Sequence, residues 1–353
     1  MKKEKRSLFN MIFGNKIQNM VNETTLKLLS GYNATYTDIT DDINENIIAK
    51  ECINVIATHC AKMIPKHYQQ NGNLKNHISG QINYIISVKP NPFMTTYDFI
   101  YKIMSLLLAQ NNEYIYIDID DKGYLRGLYP LNPLFCTLVE YENEVWLKFQ
   151  FIDGNTYYVK YNRIIHLRNF YNKHDFYGDT NQVLNNAIET QTVADDGIKN
   201  AIKISASLRG VIRAANAILK DKDIKNMKDN FVQSLLSSTD GIGSLDARMD
   251  LKEINLNPVL LEKEQLEMVN GNIYGYFMLS ENIIKSKYTA DEWNAFYESV
   301  LEPRAIQMGQ AFTNAIFSEK AIKEINSIMG IIHNSLFTIY FFIPPLTFHS
   351  QLQ

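Results

Sequence analysis

The sequence predicts an α+β fold, on three observations. Apolar residues recur at helical spacing from Ile47 to Met63 and again from Phe99 to Leu108. Between Glu113 and Leu167, short segments alternate apolar and polar residues with a period of two. Beyond Gly178 the period returns to that of a helix for most of the remaining chain. Helices segregated from an antiparallel sheet define the α+β class.

Residues 1–45 are polar and rich in Asn and Thr, and read as an arm that is mobile or poor in strand. In the first helix Ile48, Cys52, Ile53, Val55, Ile56, Cys60 and Met63 share a face, and Pro65 stops the run. His59 within it reads as a structural residue, since no second metal ligand lies at helical spacing. Asn91-Pro92-Phe93-Met94 leads into a second helix, with Thr95 or Thr96 as its N-cap and Asp98 complementing the positive end of the dipole. That helix runs to Asn111-Asn112.

The expected strands are Glu113–Asp118, Leu125–Tyr129, Leu138–Tyr141, Val145–Phe151, Thr156–Tyr161 and Ile164–Leu167. Asp120-Asp121-Lys122-Gly123 and Asp153-Gly154-Asn155 carry the turn residues that close hairpins between them. A long helix follows over about 181–205, with Leu184, Ala187, Ile188, Ile198, Ala201 and Ile202 on one face and Asp195 and Asp196 in mid-span. Gly210-Val211-Ile212-Arg213 reads as a strand, 222–236 as a charged helix and 243–255 as a strand pair. Asn257-Pro258 opens a helix running to about Met278. Thr289, with Glu292 three residues on, forms a capping box for the last one, Ala290 to about Phe317.

Length and charge narrow the function. A chain of 353 residues has room for about two domains and a large core without disulfides. Its 35 basic and 38 acidic residues leave a net charge of −3, which argues against a general nucleic-acid coat. Cys52, Cys60 and Cys136 form no CxxC pair, so a reduced, intracellular protein without zinc is expected. Asp118, Asp120 and Gly123 superficially suggest a calcium loop. Lys122 and Tyr129 occupy positions that need oxygen ligands, and the reading fails.

No phosphate-binding glycine loop, GxSxG elbow or HExxH helix is present. His166, His174 and Asp175 are the one grouping suited to a general base with an orienting carboxylate, and they carry the alternative of an intracellular hydrolase. Leu8 to Phe13 is too short for the apolar core of a secretory signal. The apolar run from Ile328 to Phe348 is broken by Pro344-Pro345 and is short for a bilayer helix, so no membrane partner is expected. A buried or interface segment, or a tail of altered reading frame, fits it better.

The order of elements resembles a known family. The helix Cys52–Met63 ending at Pro65, the segment Asn91-Pro92-Phe93-Met94-Thr95 leading a helix, and Leu106–Tyr116 ending in a strand are similar to the wing of phage portal proteins of the shorter class. Gly178-Asp179-Thr180 before a long helix, the strand–helix–strand stretch Gly210–Asn255 and Leu256-Asn257-Pro258 before a helix follow in the same order. So do Ser286-Lys287-Tyr288-Thr289 and the helix from Trp293 to Phe312 with Pro303 inside it. The resemblance covers about residues 40–318.

That resemblance implies a portal fold: an N-terminal arm (1–45), a wing with an antiparallel sheet (40–178), stem helices (179–206 and 257–279), a small α/β clip (207–256), a tunnel loop (280–289) and a long helix (290–318). After Phe317 the family's helical crown is replaced by an apolar tail, 319–353. It further implies no enzyme and no cofactor or metal, but a closed ring of about twelve copies at one capsid vertex of the virion, assembled in the host cytoplasm. Double-stranded DNA would pass through the ring without sequence recognition, past Lys285 and Lys287 of the tunnel loop. Arg213, Lys222, Lys225 and Lys228 of the clip would face the terminase large subunit and later a head-tail adaptor, with capsid or scaffold protein around the ring. A portal-derived component of a defective prophage or tail-like particle is the alternative within the same fold.

Overall fold

In the computed structural model, described residues are 27–28, 35–37, 43, 45–71, 74–152, 154–205, 210–214, 221–237, 249–253, 262–323, 326–333 and 338–340. The arm contains two short strands, β1 (Lys27–Leu28) and β2 (Thr35–Thr37). Helix α1 (Ile47–Ala61) starts where the Asn46 side chain accepts a hydrogen bond from the Ala49 amide at 3.0 Å, and it buries Cys52, Ile53, Ile56 and Cys60 as the spacing predicts. It ends at Ala61. Pro65 is not its stop but lies near the start of strand β3 (Ile64–Asn71), where the absent N–H removes at most one ladder bond. Strand β4 (Leu74–His77) and helix α2 (Gln81–Ser87) follow. Neither was legible in the sequence.

Helix α3 (Thr96–Gln110) resolves the choice of cap. Thr95 accepts from the Asp98 amide while the Asp98 carboxylate accepts from Thr95, a reciprocal box that satisfies two otherwise orphaned donors. Strands β5 (Asn112–Ile119), β6 (Leu125–Leu131), β7 (Phe135–Tyr141), β8 (Glu144–Gln150), β9 (Thr156–Lys160) and β10 (Ile164–Arg168) match the six expected ones. Asp120 closes the β5–β6 hairpin by accepting from the Lys122 and Tyr124 amides, and Gly123 supplies the positive φ of 86°. Glu142 and Asn143 take φ of 52° and 61° in the two-residue β7–β8 turn, a mirror-image turn that the twist of the strands favours.

These strands form two antiparallel sheets instead of the one expected. One has the order β10-β5-β6; the other has β7-β8-β9 with β1 and β2 both paired to β7. Alternation along β5 explains how they pack. Ile115 and Ile117 enter a core shared with α1 and α3, while Tyr114 enters a second core with Leu138, Leu147, Phe149 and Tyr157. Both faces of β5 are buried, and each fully buried Ile is worth roughly 1.5–3 kcal/mol.

Helix α4 (Gln182–Ser205) buries Leu184, Ile188, Ala194 and Ala201. Ile202, placed on that face by spacing, is exposed. Strand β11 (Gly210–Ala214), helix α5 (Asp221–Ser237) and strand β12 (Met249–Glu253) form the strand–helix–strand stretch. Of the strand pair expected over 243–255, the described part is β12, which pairs with β11, Ile212 opposite Leu251; residues 243–248 lie outside the described residues. Helix α6 (Lys263–Tyr276) covers the later part of the expected helix, whose Asn257-Pro258 start lies outside the described residues.

A one-turn helix, α7 (Glu281–Ile284), precedes α8 (Ala290–Phe296), which Thr289 and Glu292 cap as expected. A π turn over Tyr297–Leu301 then joins α8 to α9 (Glu302–Ile316). The Glu302 amide reaches back five residues to the Tyr297 carbonyl, so Pro303 falls in the first turn of a new helical segment, where it needs no N–H. Helix α10 (Glu319–Lys323) leads to β13 (Asn326–His333) and β14 (Thr338–Tyr340). The apolar run read as a tail thus contributes strands: β13 pairs along β3 from Ile331↔Ile64 to Asn326↔Gln69, in a sheet of order β14-β13-β3-β4. Among the described residues no helix is long and apolar enough to cross a membrane.

The chain divides into two units. The first comprises 1–189 and 268–353, the second 190–267. The crossings fall within α4 and α6.

Candidate assembly and channel site

A knot of asparagines lies where α4 begins and α6 ends. Asn111 closes α3 in the left-handed conformation, φ 59°, which Asn accepts more readily than other residues with a side chain. Its side-chain nitrogen donates to the Asp179 carbonyl at 2.9 Å and to the Asn181 side-chain oxygen, with the Tyr276 hydroxyl 3.3 Å away. Tyr276 donates its own proton to that Asn181 oxygen at 2.6 Å, and the Asn181 amide donates to the Ala109 carbonyl. The Asn112 side chain accepts from the Gly178 amide at 2.8 Å and donates to the Gly178 carbonyl at 3.3 Å. Asn169 joins through its amide, 2.8 Å from the Asn111 carbonyl.

Asn111 and Asn112 are fully buried, and buried amides are tolerated only when satisfied. Here they satisfy one another and tie four segments together: 109–112, Asn169, 178–181 and Tyr276. Asn111-Asn112 read in the sequence as a helix end, and Gly178 as the point where the period changes and part of the family-like Gly178-Asp179-Thr180. The partners lie tens of residues apart, so no local pattern links them.

The segment 280–288 is not the free loop expected of it. Within it Ile283 is buried in the main core, next to Leu279, the buried residue that precedes the segment. Ser280 caps α7, and Ser286 turns the chain at φ 56°. The Lys287 amide donates to the Asn282 carbonyl at 2.8 Å, and the Asn282 side chain donates to Glu292 at 2.6 Å. Tyr288 packs against Trp293 with ring centroids 5.3 Å apart, and Trp293 packs against His59 at 5.0 Å. Burial there pushes His59 down to about 4, with Lys62 adding to the effect. Lys285 and Lys287 are exposed on this pinned turn, and Lys285 pairs with Glu281. An exposed pair of this kind contributes at most about 1 kcal/mol and leaves the ammonium available to solvent.

In the second unit, α5 exposes Lys222, Lys225 and Lys228. Arg213 sits in β11 opposite Asp250, and its side chain lies outside the described residues. Lysines spaced by three lie along one side of a helix and here present positive charge to solvent.

The grouping of His166, His174 and Asp175 is not assembled. His166 is buried in an aromatic cage, stacked on Tyr114 at 4.6 Å, with its Nε2 3.1 Å from the Asn112 side-chain oxygen. Burial, with Arg168 nearby, holds it well below the usual histidine range. Asp175 is exposed, and its carbonyl accepts from the Tyr171 hydroxyl. Burial pushes the Cys52, Cys60 and Cys136 thiols up to about 12, which leaves them poor nucleophiles. Among the described residues no group of three or more His, Cys, Asp or Glu side chains could hold a metal ion.

The fold is shared with chains seen in phage-like particles and with a phage portal protein. A chain in the neck of an empty gene transfer agent particle computed with C6 symmetry aligns over 86% of this chain and 87% of its own, at 15% identity and a TM-score of 0.66. A chain in the neck of a native particle computed with C12 symmetry aligns over 85% of this chain and 86% of its own, at 14% identity and a TM-score of 0.61. The crystal structure of an HK97-family phage portal protein from Corynebacterium diphtheriae aligns over 84% of this chain and 96% of its own, at 14% identity and a TM-score of 0.52. No curated protein sequence matches the chain. The family model described as phage portal protein matches residues 48–334, and the chain belongs to that family.

Proposed function

We propose that this protein forms a closed homo-oligomeric ring at one vertex of a phage-type capsid, through which double-stranded DNA enters and leaves. The family match over residues 48–334 carries this reading, and the similarity to necks of symmetric particles supports it. A ring of identical subunits needs no nucleophile, only two unlike surfaces on each copy that meet around a closing axis. Within the ring, 40–178 is the wing, 179–206 and 257–279 the stem, 207–256 the clip, 280–289 the tunnel segment and 290–318 the long helix that follows. The gene transfer agent matches favour the second reading within the same fold: a portal-derived component of a defective prophage or tail-like particle.

Light scattering on the purified chain at micromolar concentration tests the ring. About twelve copies of a 40.7 kDa chain give about half a megadalton. A particle of one or two chains in physiological salt would overturn the reading and return the hydrolase alternative to consideration.

The tunnel segment offers positive charge to DNA. Repeated around a ring, Lys285 and Lys287 become two circles of positive charge that touch phosphates weakly and without reading sequence. Changing both to Ala is expected to leave the ring mass unchanged and to lower packaged or retained DNA several-fold. Unaltered DNA content would remove these lysines from the channel.

The clip is the docking surface for terminase and then for an adaptor. Lys225→Glu with Lys228→Glu is expected to weaken terminase binding by about tenfold or more in low salt, with the deficit shrinking as salt rises over a Debye length of about 10 Å at 0.1 M. Equal binding by parent and variant at low salt would refute the patch.

A further inference from the structure

Residues 169–179, which lead from β10 into α4, form a loop that is fastened shut along its backbone. The Asn169 amide donates to the Asn111 carbonyl at 2.8 Å, and the Asp179 amide to the Phe170 carbonyl at 3.1 Å. The Lys173 amide donates to the Asp179 carboxylate at 3.0 Å, and the Gly178 amide to the Asn112 side-chain oxygen at 2.8 Å. Arg168 donates to the Phe176 carbonyl at 3.3 Å. The closed loop is strained, since Phe170 takes φ 47°, a region that bulky side chains rarely enter.

One imidazole sits at the fastening. The Asn112 side chain accepts from the Gly178 amide and donates to the Gly178 carbonyl, so its oxygen can meet His166 only as an acceptor. His166 therefore donates from Nε2, 3.1 Å away. The neutral ring keeps its proton there, and its buried Nδ1 has no hydrogen-bond partner among the described residues. Nothing around the ring compensates a second proton. Strand β5 stacks Tyr114 on it at 4.6 Å, the turn after β9 brings Tyr161 to 6.3 Å, and the loop brings Phe176 to 5.2 Å and Tyr177 to 6.4 Å. The Cys136 thiol of β7 lies against Tyr114 and Tyr177. Phenols and thiols carry no charge in acid. The charge that acts on the ring is the Arg168 guanidinium, of the same sign as an imidazolium. Glu113 offers no counter-charge, because alternation along β5 turns it with Ile115 to the other face.

We propose that His166 is an acid-released latch on this loop: neutral, it fastens residues 169–179 to β5 through Asn112, and protonated, it lets them open. Opening brings the ring to water, where its proton affinity returns to the ordinary value of 6.5, whereas burial and Arg168 hold it well below that in the closed loop. The closed form has its full advantage above about 6.5 and loses it as pH falls, by up to about tenfold per unit. Glu113 acts with the opposite sign, so loosening in acid cannot come from it. The latch lies within the first unit and needs no second chain.

Hydrogen exchange of the full chain at pH 7.5 and 5.0, corrected for the intrinsic rate at each pH, tests the latch. The opening constant of 169–179 is expected to rise about tenfold or more, with about 30-fold as the limit set by an ordinary imidazole, while the amides of α3 keep their protection. His166→Gln, neutral at both values, is expected to abolish the rise. His174→Gln, in the same loop, is expected to leave it intact. A wild-type rise of about threefold or less, or an equal loss of protection across α3, overturns the proposal. So does a rise that persists in His166→Gln or disappears in His174→Gln. If His166→Gln does not fold, the wild-type chain and His174→Gln still decide it.

Discussion

Replacing Gly178 by Ala is expected to unfold the asparagine knot at the start of α4. A Cβ at this position would lie less than 3.0 Å from both the Asn111 and the Asn169 carbonyl oxygens, and neither backbone atom can swing aside. The backbone would have to part, and with it the two hydrogen bonds between Gly178 and the Asn112 side chain. Overpacking costs about 1–3 kcal/mol and each hydrogen bond about 1 kcal/mol, with more for a buried amide left unsatisfied. The sum is about 3–5 kcal/mol, a fall in thermal midpoint of the order of 10 °C. Asn181→Ala should show a smaller fall, since it removes partners from the same knot without forcing a clash. A Gly178→Ala chain melting within about 2 °C of the parent would mean that the close approach carries no constraint.

The second large effect has the opposite sign. Glu113 is fully buried in β5, and neither of its carboxyl oxygens finds a hydrogen bond of good geometry. Burial raises its proton affinity well above the ordinary carboxylate range, which Lys102 and the Tyr114 amide offset only in part. The folded protein therefore holds the proton that the unfolded chain releases. Stability from this group is intact below the unfolded value of about 4.5 and is lost as pH rises through the higher folded value. Glu113→Gln removes the ionisation and should stabilise the protein at pH 8 by about 1–3 kcal/mol, the scale of an unsatisfied buried polar group. At pH 4.5 the gain should largely vanish. Urea midpoints of both proteins at the two values decide it, and a gain independent of pH would contradict the assignment.

Much of the fold was legible because its signals are local. The six period-2 segments, the Asp120 to Gly123 turn and the Thr289–Glu292 box each depend on residues within a few positions of one another, and each appears where expected. Strands β3 and β4 gave no such signal. Their sequence, Ile64-Pro65-Lys66-His67 onward, does not alternate, and β3 is completed by β13, some 260 positions later in the chain. The same physics hid the asparagine knot. Amides that satisfy one another across a fold leave no periodicity, and the Tyr276 partner of Asn181 is 95 residues away. The anchoring of the tunnel loop was hidden for a related reason: one buried Ile283 among polar neighbours is enough to pin a turn.

The split of the first unit between 1–189 and 268–353 bears on how the protein is made. A ribosome synthesises the helices and sheets of its first half well before Ile273, Phe277, Val300, Leu301 and Phe312, which complete the main core. Until those residues leave the exit tunnel, the nascent chain holds an open apolar groove along α1 and α3. At about 5–20 residues per second that interval lasts several seconds. During it, a chaperone that shields the groove would govern yield, and neighbouring nascent chains on one messenger would not yet present finished subunits to each other. The main core is therefore complete only after residues 273–312 have been synthesised.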